Sequence, residues 1–391
     1  MTENTNQSGS QTRSRHAEIA GAGIVGLGTG TLLARSGWTV RIHERSSEIR
    51  EVGAAVGIRG AGLDVLRRIG VVEQLEGRAV VLDREEKRDA NGKILLQRDR
   101  TAATTSYNPL RDDLIGIMAD VAAESGVDIQ TDSLVRDATP DGTLTLADGT
   151  ELSADLVVAA DGFRSRIRYN AGLEEKAAFY HSGTTRVLMP REDEPNVSQE
   201  WWSGRLRIGI APTTDDITYV FLSAPQSDAR AVSVPIDAAY WATAFPGLPR
   251  RFFDRVHAGD GIRHPYPLVI SKSWAKGTLA LVGDAAAALP PTLGLGASLG
   301  LTNAYNLVSA VNVPDVPVAA ALNTWDEICR PMAERVQRRA GMYNALTVRW
   351  PQRFESTRNR FIRLLQSPKI HTRMFKPGVL LSPEKLIPKG D

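Results

Sequence analysis

The chain has 391 residues, which exceeds one typical core and implies two lobes, or one domain with a large insertion. With 42% hydrophobic residues, 24% charged residues and a net charge of +2, it has the balance of a globular protein and no surplus to attract nucleic acid. Its one cysteine, Cys329, excludes internal disulfides and fits a reducing, cytoplasmic compartment.

Residues 1–15 are polar and lack an apolar core, so they predict a disordered lead-in and not a secretory signal. Residues 17–44 then read as strand, glycine turn, helix and strand: Gly21-Ala-Gly23-Ile24-Val25-Gly26, with Glu44 eighteen residues beyond Gly26. Gly21 permits the sharp turn, Gly23 lets a pyrophosphate approach the backbone, and Gly26 lets helix and strand pack closely. The helix start offers unpaired N–H groups to phosphate, and Glu44 offers a carboxylate to ribose hydroxyls. This is the pattern of dinucleotide binding.

The run from Glu51 through Gly53 to Gly57 predicts a glycine-rich turn, and a helix is expected over 61–69. Residues 80–100 are polar and irregular, with a hairpin-type Asn91-Gly92 turn. An amphipathic helix over 110–123 carries Arg111 near its start. Short strands follow at 127–130, 143–146 and 155–159. The last ends in Asp161-Gly162-Phe-Arg164-Ser165-Arg166-Ile-Arg168, which suits a second nucleotide contact.

After Gly172 the βα rhythm stops. Leu206, Ile208 and Ile210 alternate with Arg205 and Arg207, and a turn at 213–216 leads into a second alternating strand containing Tyr219 and Phe221. Residues 175–275 therefore predict an inserted antiparallel sheet covering the cofactor, between a first part at 16–174 and a second at 276–346. In that second part a buried strand ends at Gly283-Asp284, and Pro291 and Gly294-Leu295-Gly296-Ala297 open a helix running to about 311. The stretch 278–301 is apolar, but Asp284, Pro290, Pro291 and its glycines exclude a membrane span. A long helix is expected over 321–346. The extension 347–391, with nine Lys/Arg against three acids from Gln352 onward, reads as a solvated or subunit-contacting surface. The six histidines show no ligand spacing, so no metal is expected, and His257 and His264 read as loop residues.

Three motifs in this order resemble the single-component flavoprotein aromatic hydroxylases, the p-hydroxybenzoate hydroxylase-like family: Gly21-x-Gly23-x-x-Gly26 with Glu44, Asp161-Gly162-x-x-Ser165-x-x-Arg168, and Gly283-Asp284 followed by Pro291 and Gly294-x-Gly296. Arg111 matches the family's FAD-contacting arginine. Within the family the likeness is to the hydroxypyridine-carboxylic acid oxygenases, through Val234-Pro-Ile-Asp, Ser273-Trp-Ala-Lys-Gly and Trp325-Asp-Glu-Ile-Cys-Arg330-Pro. The chain departs at Ala287, Leu295, Ser298 and Asn303, where the family often has histidine, glutamine, asparagine and aspartate.

The resemblance implies an α/β fold: a glutathione reductase-like FAD-binding βαβ (Rossmann) domain, an inserted antiparallel-sheet substrate domain and C-terminal helices. It implies tight, non-covalent FAD, held by Gly21, Gly23, Ile24, Val25, Gly26, Glu44, Arg45, Arg111, Asp161, Asp284, Pro291, Gly294, Leu295, Gly296 and Ala297. It implies transient NADH or NADPH, and O2 as the source of the oxygen inserted into, or opening, a small hydroxylated aromatic or N-heteroaromatic acid. Arg207, Tyr219 and Arg186 are the expected substrate-orienting residues, since a guanidinium clamps a carboxylate and a phenol bonds a ring hydroxyl or nitrogen. Neither nucleic acid nor membrane is an expected partner, and oligomeric state stays open, a homodimer among the options. Rival readings are a flavin reductase or dehydrogenase of the same fold and a non-catalytic flavin-binding sensor. A halogenase lacks support because the Trp-x-Trp-x-Ile-Pro motif is missing.

Overall fold

The computed structural model describes residues 14–49, 54–101, 104–350, 352–364 and 378–388. Two sheets organise it. The first has six strands, in the order Ala275–Lys276, Leu279–Leu281, Leu156–Ala159, His16–Ala20, Thr39–His43 and Asp128–Gln130. All pairs are parallel except that of the outer strand 275–276. Strands 156–159 and 279–281 are buried throughout, as continuous apolar runs covered on both faces must be. The helix Ile24–Arg35 is the crossover between the first two strands in sequence. It packs on helices Gly296–Val311 and Arg111–Glu124.

The second sheet has seven strands: Ile262–Ser271, Glu174–Pro190, Ile217–Pro225, Leu206–Pro212, Val197–Ser203, Arg84–Asp89 and Ile94–Asp99. It is antiparallel except where 84–89 runs parallel to 197–203. Two of its strands thus come from residues 84–99, which the sequence presents as polar and irregular. Their Asn91-Gly92 turn is real, with Asp89 accepting from the N–H groups of Asn91 and Lys93 at 3.0 and 2.9 Å. The polar residues that hide these strands are buried in ion pairs, Glu86 with Arg84 and Arg88 and Lys87 with Glu85 and Glu200.

One face of this sheet carries Leu206, Ile208, Ile210, Val220 and Leu222 against Trp241, Phe245, Phe252 and Phe253 of two covering helices, Ala238–Ala244 and Arg250–Ala258. By the two-residue alternation of strands the other face presents Arg186, Arg207, Tyr219 and Phe221. The long helix Val318–Val348, with Pro331 inside it, ties the sheets together. Its Gln337 Nε2 donates to the carbonyls of Val269 and Ala288, both at 2.6 Å.

The termini depart from expectation. Residues 1–13 lie outside the described residues, but Arg15 stacks on Trp38 and donates to the Val311 carbonyl at 2.6 Å. In the basic tail, Arg358 of helix Glu355–Leu364 is buried over Trp202, 5.1 Å from its ring, and is not solvated. Among the described residues no helix is long and apolar enough to cross a membrane.

Candidate active site

The first three glycines do what their spacing predicts. Gly21 adopts φ +102°, and a Cβ there would lie 2.5 Å from the Ala160 carbonyl oxygen; one on Gly26 would lie 2.0 Å from that of Gly21. At Gly23 a Cβ would meet nothing, so space lies open where a pyrophosphate would pass. The helix Ile24–Arg35 begins there with no side-chain cap and no acid in its first turn, which leaves its N–H groups and positive end for an anion. Glu44 stands beside this turn and takes the Ala22 and Ser46 N–H groups at 3.0 Å each, which fixes its carboxylate while lone pairs remain for a ribose. Arg45 follows, exposed.

At the same end of the sheet, just past strand 156–159, Asp161 Oδ1 is buried without a hydrogen bond, and burial pushes its carboxyl above the usual range. Its free acceptor oxygen suits the hydroxyls of a polyhydroxyl chain. Arg168 is a different matter. It is buried and donates to the carbonyls of Ala285 at 3.0 Å and Phe163 at 2.9 Å, so it ties the Asp161 loop to the Asp284 loop and does not face a nucleotide. Beyond Asp284, which is exposed, Pro291 opens a short 3-10 turn. Gly294 is left-handed at φ 59°, and buried Leu295 precedes the uncapped helix that Gly296 and Ala297 begin. Arg111 heads its own helix, its N–H on the Ala54 carbonyl at 3.0 Å. Gly53 lies outside the described residues. These groups fit FAD: the cradle, the open turn and the unfilled Asp161 oxygen are spaced along one line of strand ends.

Of the departures, Ser298 has a packing reason. Its Oγ accepts the Arg59 N–H at 3.2 Å, and the helix Gly60–Arg68 crosses so closely that a Cβ on Gly62 would lie 2.4 Å from Ser298 Cα. Leu295 is core, and Ala287 packs partly buried against it. Asn303 is buried, with its carbonyl taken by Trp325 Nε1 at 3.0 Å.

The second sheet supplies a wall. Tyr219, Phe221 and Arg186 are half-buried on it, Arg186 directly across from Phe221 and Tyr219 across from Leu188. The Phe221 ring lies on Gly209, where a Cβ would sit 1.8 Å from it. His264 is on the strand 262–271 and His257 in the helix 250–258, so neither is a loop residue. His264 shares the Arg186 face of the sheet. Burial, with Arg186 and Arg111 nearby, holds its pKa below the usual value, so it is neutral at pH 7. Only its place in the sheet, invisible in the sequence, brings it here.

Arg207 reaches the same face but lies deeper. It is 2% exposed, so it is no solvated strand residue. Glu200 stands 3.1 Å from its Nε, and the rings of Trp202, Phe221 and Tyr343 surround it at 5.6–5.9 Å. The contact is an ion pair by distance without hydrogen-bond alignment, for Arg207 Nε and Nη1 hold no hydrogen bond. Glu200 is itself shared, accepting from Lys87 Nζ at 2.7 Å and Tyr343 Oη at 3.0 Å. Burial opposes every charge here. The mutual attraction outweighs it, and Glu200 is held below the carboxylate range while Lys87 and Arg207 are held above theirs. Sequence spacing missed Glu200, Lys87 and Tyr343 because they come from three distant segments.

The glycine cradle, the uncapped helix end and the buried Asp161 oxygen define a flavin-binding oxidoreductase fold. Comparison with known proteins sharpens this. A family model described as "FAD binding domain" matches residues 15–340. The chain is 35% identical over 333 residues to the 2-heptyl-3-hydroxy-4(1H)-quinolone synthase of Mycobacteroides abscessus, covering 83% of this chain and 88% of that one. Among solved structures, the tetrameric form of 2-methyl-3-hydroxypyridine-5-carboxylic acid oxygenase superposes with a TM-score of 0.81 at 29% identity, over 93% and 96% of the two chains. HpxO of Klebsiella pneumoniae, complexed with FAD and uric acid, shares the fold at a TM-score of 0.80 and 21% identity, over 93% and 96%. The chain belongs to the FAD-binding family of single-component flavoprotein monooxygenases, and it is an enzyme of that kind.

Proposed function

We propose that the enzyme uses NADH or NADPH and O2 to hydroxylate, or open, the ring of a small hydroxylated aromatic or N-heteroaromatic acid. FAD, when bound, supplies the redox chemistry. The protein's part is to place the ring, stabilise charge developing on it and exclude water. The observation that supports the reading is the wall of Tyr219, Phe221 and Arg186, with Arg111 of the FAD-binding part close enough to act on the charge of Tyr219. It offers an aromatic surface, a phenol for a ring oxygen or nitrogen, and a guanidinium for an anion. Behind Phe221, the unfilled Nε and Nη1 of Arg207 supply donors for a carboxylate, although Glu200 already balances part of its charge. His264, neutral at the edge of the wall, is placed to take a proton from a ring hydroxyl.

A second reading is an uncharged quinolone-type ring. The relative at 35% identity is named for a 2-alkyl-3-hydroxy-4-quinolone, and the pairing of Arg207 with Glu200 also favours it. Both are tested by NAD(P)H oxidation and product mass with 3-hydroxypyridine, 5-hydroxynicotinic acid and 4(1H)-quinolone. Oxygenated product from the acid supports the first reading, and product from the quinolone alone supports the second. NAD(P)H consumption without any oxygenated product would leave the reductase reading in place of both.

A further inference from the structure

Three side chains at the adenosine end of the cradle serve neither the wall nor the core. Glu18 of strand 16–20 is 1% exposed and His43 of strand 39–43 is 3% exposed. Glu18 Oε2 lies 2.7 Å from His43 Nε2, and His43 Nδ1 lies 2.7 Å from Ser133 Oγ, just past strand 128–130. Nε2 faces the Glu18 carboxylate and Nδ1 faces the Ser133 hydroxyl, so both ring nitrogens are hydrogen-bonded. The other Glu18 oxygen lies 2.8 Å from His16 Nε2, and Arg41 is 3.7 Å away. The chain Glu18–His43–Ser133 therefore runs from the middle of strand 16–20 to the carboxyl end of strand 39–43 and the loop past strand 128–130, the end where nucleotides bind in such sheets.

The main chain around it is the frame of Glu44. The His43 carbonyl takes the N–H of Gly21 at 2.8 Å, so the first glycine of the turn hangs on this residue. Glu44 gives its N–H to the Gln130 carbonyl and takes that of Ser133 on its own carbonyl, both at 2.8 Å. Asp132, between them, is left-handed at φ 51° and bonds the Ser46 carbonyl at 3.0 Å. An apolar trio would bury here at no electrostatic cost, since buried polar and ionic groups rarely out-stabilise hydrophobic replacements of equal volume. What apolar groups lack is direction. Hydrogen bonds at both ring nitrogens fix the angle of His43 and, through it, the spacing between the Gly21 turn and the Ser133 loop.

We propose that Glu18, His43 and Ser133 form a positioning relay that sets Glu44 and the 131–134 loop for the adenosine half of FAD. His43 is a positioning residue; it touches neither ring nor substrate. The test is flavin affinity of the full-length chain stripped of FAD, titrated with FAD and with FMN, which lacks the adenosine. His43→Phe fills the space without the hydrogen bonds. It is expected to weaken FAD at least tenfold and to leave FMN within twofold, while the melting temperature of the apoprotein falls because Glu18 loses a buried partner, so the FAD-against-FMN ratio is the readout. His43→Gln, which can bond at both ends, should recover much of the FAD affinity. Should His43→Phe fail to fold, Ser133→Ala, which removes one oxygen, is expected to show the same FAD-selective loss more weakly. FAD affinity left intact, or FMN weakened as much as FAD, overturns the relay and leaves these residues a merely structural role.

Discussion

The two sheets offer different means of recognition. The six-stranded sheet works through its backbone: glycines that let strands turn, helix N–H groups left open, and strand ends aligned in parallel. On the proposed reading the seven-stranded sheet works through side chains, with half-buried Arg186, Tyr219 and Phe221 on one face and Glu200, Lys87 and Arg207 buried more deeply. Backbone recognition tolerates no added atom at a few points. Side-chain recognition tolerates change in shape but not an unbalanced charge. Each sheet should therefore fail in its own way.

The largest effect is expected behind the wall. Glu200→Leu leaves Lys87 and Arg207 buried without their shared counter-charge, which costs about 3–5 kcal/mol. Chemical denaturation should show that loss, and adding Lys87→Met should return part of it; a loss under about 1 kcal/mol would mean the cluster is more hydrated than its burial indicates. Next comes the cradle. Gly26→Val sets a side chain against the Gly21 carbonyl, so the purified protein should be colourless, with FAD weakened at least 100-fold, about 3 kcal/mol by the usual conversion. Retained yellow colour would show that the turn relaxes.

Arg186→Ala should leave FAD content unchanged while ring ligands weaken more than tenfold, since a charged hydrogen bond contributes roughly 1.5–3 kcal/mol. Equal loss of FAD and ligand would erase the division between the sheets. The smallest effect concerns pH. Burial would raise the Glu194 carboxyl, but its hydrogen bond from Arg255 holds it below the free value of 4.5. The stability it contributes is thus fully present above about pH 4.5 and is lost as pH falls through the lower folded value. Glu194→Gln should flatten the acid limb of the stability curve, and an unchanged limb would put the pair's contribution at nothing.

The same contrast explains what the sequence made legible. Gly21, Gly23, Gly26 and Glu44 act within one βαβ unit, so their spacing alone carries the geometry. The flavin-binding fold, the cofactor and the crossover helix could be read directly. The wall could be read only in part: alternation placed Leu206, Ile208 and Ile210 together and turned Arg207 and Tyr219 the other way. The partners of Arg207 could not be read, because Glu200, Lys87 and Tyr343 meet through sheet order and a helix more than a hundred residues away. The strands at 84–99 were hidden because their polar residues are buried against opposite charges, a pattern that looks like loop. Arg168 was misread for a related reason: an arginine after a glycine turn has the same local signature whether it meets a phosphate or two backbone carbonyls.

The most direct test of the joint arrangement is an incubation of the purified enzyme under 18O2 with NAD(P)H and the hydroxypyridine and quinolone rings. The structure predicts one labelled oxygen atom in the ring product of at least one of them, formed in step with NAD(P)H oxidation. Label absent from every product, with all the oxygen consumed recovered as hydrogen peroxide, would contradict a ring held on this wall beside the flavin.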